Sequence, residues 1–136
     1  MNRSVEAGRW LTEAQEELRT AEWDLKGERY SAACFWAQQA VEKALKGFLT
    51  LHTDRALYEH SLVALVRAAA EHDASLGSLE STCALLDRYY IVTRYPNGLP
   101  TPAVPSQSFS AQEAAEAVAE GRALLEAIRE RVATPT

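Results

Sequence analysis

The stretch Ala37-Gln-Gln-Ala-Val-Glu-Lys-Ala-Leu-Lys46 is made almost wholly of strong helix formers. Its apolar members belong to a longer series, Tyr30, Cys34, Ala37, Val41, Ala44, Leu45 and Phe48, that recurs at helical spacing and predicts a helix over about residues 30–52. That face is rich in alanine, so a neighbouring helix can approach closely. The opposite side is less ordinary. At about 100° per residue, Phe35, Gln39, Glu42 and Lys46 fall on one line, flanked by Gln38 and Lys43, with Trp36 at the edge. Solvent alone does not favour aromatic rings framing a polar stripe.

Working outward, Ala7, Trp10 or Leu11, Ala14, Leu18, Ala21 and Leu25 predict a first helix over about 3–26, closed by Gly27 as its C-terminal cap residue. Downstream, Ser61 is placed to cap a short helix carrying Leu62, Leu65, Val66 and Ala69. His72-Asp73 and Gly77 interrupt it. Leu76, Leu79, Cys83, Leu86 and Tyr90 then predict a further helix to about Thr93. Pro96, Asn97-Gly98, Pro100, Pro102 and Pro105 exclude regular helix between Arg94 and Phe109 and disfavour a strand. Ser110-Ala-Gln-Glu113 has the capping-box form and opens a last helix with Ala114, Val118, Gly121, Leu125, Ile128 and Val132 inward, before a frayed tail from Ala133 to Thr136. No useful stretch alternates with period two. The expected fold is all-α: an antiparallel bundle of about five helices, four long and one short, around a four-helix up-and-down core.

The length of 136 residues allows one domain with a real core, taken as residues 1–136. A content of 47% hydrophobic and 24% charged residues, with no long apolar run, excludes both a disordered chain and a membrane-spanning one. No basic-then-apolar signal segment follows Met1, so a soluble cytoplasmic protein is expected. The net charge of −5 is spread as −1 over residues 1–53, −2 over 54–109 and −2 over 110–136. Extended nucleic-acid binders carry a basic block or stripe, and none exists here, so contact with a polyanion must be local.

Cys34 and Cys83 occupy apparent inner faces of helices, have no partner at metal-ligand spacing, and read as small buried hydrophobes rather than a disulfide. His52 falls on the apolar side of the second helix and reads as a packed histidine; His72 sits at a helix end. His60 immediately precedes the Ser61-Leu62 helix start and completes Arg55-x4-His60. There is no Gly-rich phosphate loop, no serine-hydrolase elbow and no zinc ligand set, so no metal or cofactor is expected. The acidic pairs Glu16-Glu17 and Glu113 with Glu116 are ordinary for helical surfaces. In Asp87-Arg-Tyr-Tyr-Ile-Val-Thr-Arg-Tyr-Pro96, a helix ends in aromatics and an arginine, residue types that stack on a base and grip phosphate. Arg94 and Tyr95 stand out there, although a plain helix-end cation and packing tyrosines would read alike. The α-helical stripe is likewise open to three readings: a wet face, a subunit interface, or a pocket that stacks a base.

In order and spacing, Ala21-x-x-Asp24-Leu25, Tyr30, the Ala37–Lys46 segment, His60-Ser61-Leu62 and Leu86-Asp87-x-x-Tyr90-Ile91-x-x-Arg94-Tyr95-Pro96 resemble the HEPN domain family. The resemblance implies an antiparallel helical bundle that dimerises. It also implies nucleotide binding and, in many cases, a neighbouring gene for a minimal nucleotidyltransferase in a toxin–antitoxin-like pair. Some members are metal-independent ribonucleases with an Arg-x4-6-His motif late in the core, where arginine steadies phosphate and histidine handles protons. At that place this chain has Arg94 followed by Tyr-Pro-Asn-Gly-Leu-Pro-Thr101 and no histidine. Arg55-x4-His60 has the spacing but comes early.

The expectation is therefore a non-catalytic HEPN homodimer that binds a nucleotide or a partner nucleotidyltransferase, with Phe35, Gln38, Gln39, Glu42, Lys43, Lys46, Arg94 and Tyr95 as ligand or interface residues. The alternative is a ribonuclease toxin acting on RNA through Arg55 and His60. A pure assembly module with Phe35 and Trp36 at a subunit contact is a third reading.

Overall fold

The computed structural model describes residues 2–54 and 58–133, and these form an all-helical bundle. Helix α1 spans Arg3–Lys26 and α2 spans Tyr30–Thr50; the short link between them makes an antiparallel pair. Helix α3 is Leu62–Ala70, α4 is Glu80–Asp87, α5 is the single turn Tyr89–Val92, and α6 is Ala111–Ala133. Helix α2 is the hub, packing on α1, α6, α3, α4 and α5. Its buried face of Ala33, Cys34, Ala37, Ala40, Val41, Ala44, Leu45 and Phe48 joins Leu11, Leu18, Leu65, Leu86, Leu125 and Ile128 in one core.

The alanine-rich face does what small residues permit. A Cβ on Gly121 of α6 would lie 3.3 Å from Ala37 Cβ, and one on Gly47 of α2 only 3.0 Å from Trp10 Cβ and 3.2 Å from the Ala7 carbonyl oxygen. Close helix approach, rather than backbone conformation, therefore leaves little room for a Cβ at either glycine.

The helix ends follow local chemistry. Ser61 Oγ accepts from the Ala64 amide at 3.2 Å and Ser110 Oγ from the Glu113 amide at 3.0 Å. The Glu113 carboxylate does not fold back to complete the capping box. It accepts instead from the buried Tyr89 hydroxyl at 3.1 Å. At the end of α1, Gly27 has φ −83°, and it is Glu28 that takes the left-handed conformation at φ 60°. Gly27 is the C-cap of α1 as expected, and the Glu28 and Arg29 amides donate to the Leu25 and Asp24 carbonyls at 3.1 and 2.8 Å, closing a Schellman motif in which Glu28 holds the left-handed position.

The helix expected over about 76–93 is broken. A 3-10 turn at Ala74–Leu79 precedes α4, with Asp73 Oδ1 tying the Ser75 amide and hydroxyl, and a turn at Arg88 separates α4 from α5. Tyr89 is consequently the buried tyrosine, and Tyr90 is half-buried at the surface. The segment between Arg94 and Phe109 is irregular, with 3-10 turns at Pro96–Gly98 and Pro105–Gln107. Cys34 and Cys83 are free and buried, and burial pushes both thiols up to about 12. His52 is not a core histidine. It lies past the end of α2, exposed, stacked on His72 with ring centroids 4.4 Å apart. Among the described residues no helix is long and apolar enough to cross a membrane.

Candidate functional site

The polar stripe of α2 is largely inside the protein. Gln38, Glu42 and Lys46 are 0%, 3% and 4% exposed, so the wet-face reading does not describe them. The segment that leads into α3 covers Gln38 and Glu42, whereas Lys46 lies against Trp10 of α1. Gln38 Nε2 donates to the His60 carbonyl at 3.4 Å, and Gln38 Oε1 accepts from Gln39 Nε2 at 2.8 Å. The Glu42 carboxylate accepts from Gln39 Nε2 at 3.4 Å and from Lys46 Nζ at 3.2 Å, and its Oε2 lies 3.4 Å from His60 Nδ1. Lys46 Nζ also lies over the Trp10 ring at 5.9 Å. Lys43 points the other way, to α1, where Nζ contacts both Glu17 oxygens at 2.9 and 2.6 Å. Desolvation raises the Glu17 carboxyl above its ordinary range despite the ammonium beside it.

A second anchor holds the same segment from α4. Asp87 accepts from the Leu62 amide at 2.7 Å, the Val63 amide at 3.1 Å and the Ser61 hydroxyl at 3.2 Å. The carboxylate thus satisfies orphan donors at the start of α3, and its charge suits the positive end of that helix. Gln38 and Glu42 on one side and Asp87 on the other fix His60 at the surface, where its side chain is 55% exposed.

Tyr90 extends the arrangement. Its ring stacks on His60 with centroids 5.3 Å apart and planes within 17°. The Arg94 guanidinium lies 4.7 Å from the same ring, 4.6 Å from the Phe35 ring and 5.0 Å from the Tyr95 ring. Nε and Nη2 of Arg94 donate to the Tyr90 carbonyl, which locks the fork in place. A guanidinium has five N–H donors, so three remain. Among the described residues Arg94 meets no carboxylate. Phe35, His60, Arg94 and Tyr95 therefore form a solvent-facing aromatic and cationic surface, built over the buried Gln38, Glu42 and Lys46. Arg55 lies outside the described residues.

Sequence periodicity could not place Tyr90 beside His60, or show that the stripe lies under residues 58–61. The signal that was available is the Asp87-x-x-Tyr90 spacing, which puts an anchor and a platform one helical turn apart. Two surface hollows lie elsewhere. One of about 730 Å³ runs along α1 and is lined by Val5, Arg9, Trp10, Glu13 and Lys43; the other, of about 190 Å³, lies among Leu49, Glu59, Leu65 and His72. In the larger, Arg9 and Lys43 are already paired with Glu6 and Glu17, which leaves little charge for a ligand. Among the described residues no three metal-ligating side chains come together.

Fold and surface together define a small antiparallel helical domain with a local cationic platform. The HEPN domain family profile matches residues 7–131, and the chain belongs to that family. Over almost its whole length the chain is similar to TT1696 from Thermus thermophilus, whose crystal structure it matches at 35% identity and a TM-score of 0.85, covering 96% of this chain and 99% of that one. In fold it is also similar to ST0689, an archaeal HEPN homologue, at 23% identity and a TM-score of 0.74 over 97% and 99% of the two chains. No protein with a curated function matches it.

Proposed function

We propose that this HEPN protein is a non-catalytic binding protein that takes a nucleotide at the Arg94 surface. It would act as a homodimer alongside a minimal nucleotidyltransferase in a toxin–antitoxin-like two-gene system. The observation that carries the nucleotide reading is Arg94 itself: an exposed guanidinium oriented by its own helix and backed by three aromatic rings, with no carboxylate partner among the described residues. Such a group supplies paired donors to a phosphate, and Tyr95 beside it offers a face for a base. Calorimetry with ATP, with GTP and with the product of the neighbouring gene tests the reading. Heat that disappears in Arg94→Ala supports the nucleotide site; no heat with any of the three overturns the proposal.

One observation favours a second reading, a metal-independent ribonuclease. His60 and Arg94, far apart in sequence, both lie against the Tyr90 ring, which supports pairing a group able to handle protons with one able to steady phosphate. Purified protein incubated with RNA and EDTA should then cleave it and His60→Ala should not; cleavage retained in that variant removes His60 from the chemistry.

A further inference from the structure

We infer that Glu42 is a positioning residue, and that the exposed edge of His60 it positions reads a ribose hydroxyl of the nucleotide. The inference rests on the nucleotide reading above and adds the sugar to it. At 3% exposure Glu42 touches no ligand, yet its Oε2 faces His60 Nδ1 at 3.4 Å. Lys46 and Gln39 donate to the same carboxylate, which leaves it the role of acceptor toward the imidazole. The ring nitrogen facing it therefore carries the hydrogen, and in the neutral ring Nε2 is left as a lone-pair acceptor.

Nε2 lies across the ring from Nδ1 and so points away from the buried carboxylate. The Gln38 bond to the His60 carbonyl and the Tyr90 stack fix backbone and ring plane, so the acceptor has a set direction. An acceptor does not recognise a bare phosphate oxygen; it recognises a hydroxyl or an N–H. Through the shared Tyr90 ring the imidazole lies within about 10 Å of the Arg94 guanidinium, a span that the phosphate-to-sugar part of a nucleotide can bridge. With the phosphate on Arg94, the nearest hydroxyls are those of the ribose.

The test has two arms. Nitrogen-15 NMR of the unliganded full chain should show His60 as the Nδ1–H tautomer, and Glu42→Gln should shift the population toward Nε2–H; a predominantly Nε2–H ring in the wild type overturns the inference without touching the nucleotide reading. In calorimetry, 2′-deoxy-ATP or 3′-deoxy-ATP should bind about five-fold more weakly than ATP, the loss of one hydrogen bond. His60→Asn keeps a donor for Glu42 but lacks the outer acceptor, and should bind ATP and the weaker deoxy form equally. Equal affinity of the wild type for all three nucleotides overturns the inference alone, whereas no binding of any overturns the nucleotide reading and the inference with it.

Discussion

Asp87 accepts the Leu62 amide at 2.7 Å and so ties the start of α3 to the end of α4, with Val63 and Ser61 donating to the same carboxylate. This anchor also sets the approach of residues 58–61 to α2, because His60 immediately precedes the tethered turn. Removing it should cost more than an ordinary cap. Asp87→Ala is expected to lower unfolding stability by about 2–3 kcal/mol, from a lost cap and charge-assisted bonds. Asp87→Asn keeps one acceptor oxygen and should lose about half as much. Urea titration checks both, and equal stability of Asp87→Ala and wild type would refute the anchor.

The helix starts at Ser61 and Ser110 were legible because a capping serine is a local signal. Ser61 and Ser110 cap the helices they were expected to cap, and the proline-containing segment after Arg94 is irregular. The inside of the site was not legible. On a helical wheel Gln38, Glu42 and Lys46 look like surface, because period alone cannot report that a connecting segment folds over the first two and that Trp10 of α1 lies against the third. The pattern puts Tyr90 inward, whereas Tyr89 is the buried ring, for a related reason. Both satisfy spacings of three and four, and the decision belongs to Glu113 on α6, which accepts from the Tyr89 hydroxyl. That buried phenol is pushed up to about 12 by desolvation first, then by Cys34 and Glu113. His52 was misplaced because α2 ends at Thr50, two residues before the periodic pattern would carry it inward.

Gly47→Ala tests the close approach of α1 and α2. The new methyl would meet Trp10 Cβ and the Ala7 carbonyl, neither of which is the far end of a flexible side chain. Overpacking of this kind costs about 1–3 kcal/mol, against a helix-propensity gain of about 1 kcal/mol. A net loss of about 1 kcal/mol is expected by thermal unfolding. A gain would mean that the helices can separate without penalty.

Glu28→Gly should act in the opposite direction. A left-handed residue with a side chain costs about 1 kcal/mol relative to glycine, and the Schellman bonds at this position use only backbone atoms. Stabilisation by up to about 1 kcal/mol is expected in denaturant titration, reduced by the greater freedom of glycine in the unfolded chain. Destabilisation would show that the Glu28 side chain contributes more than its backbone strain costs.

The His52–His72 stack gives the protein an acid-sensitive joint between the ends of α2 and α3. The His52 pKa is lowered below its ordinary 6.5 by desolvation first, then by His72 and by Arg3 of α1. Between the lowered and ordinary values the unfolded chain binds the proton more tightly, so stability rises with pH across that window. It is fully present above about 6.5 and is lost as pH falls through the folded value. Melting curves from pH 7.5 down to 5 should show this slope in the wild type and a shallower one in His72→Gln. Parallel slopes would mean that the stacked rings do not interact.

The Lys43–Glu17 pair separates the cost of burying a charge from the worth of pairing it. Glu17 is 7% exposed and Lys43 23%, and desolvation outweighs the ammonium in setting the Glu17 pKa. Lys43→Met leaves the carboxylate buried and unpaired and should cost about 3–5 kcal/mol at pH 7. The sign of its pH dependence follows from the raised pKa. A carboxyl that is easier to protonate when folded is relatively stable below its unfolded value of about 4.5, and that advantage is lost as pH rises through the folded value. The deficit of Lys43→Met should therefore shrink as pH falls from 7 toward 5, whereas a surface pair would show no such recovery. Adding Glu17→Leu removes the stranded charge and should restore most of the lost stability at pH 7, because an apolar pair of similar volume needs no desolvation offset. If the double variant is as unstable as Lys43→Met alone, the lost packing of the lysine stem, not the stranded carboxylate, accounts for the cost.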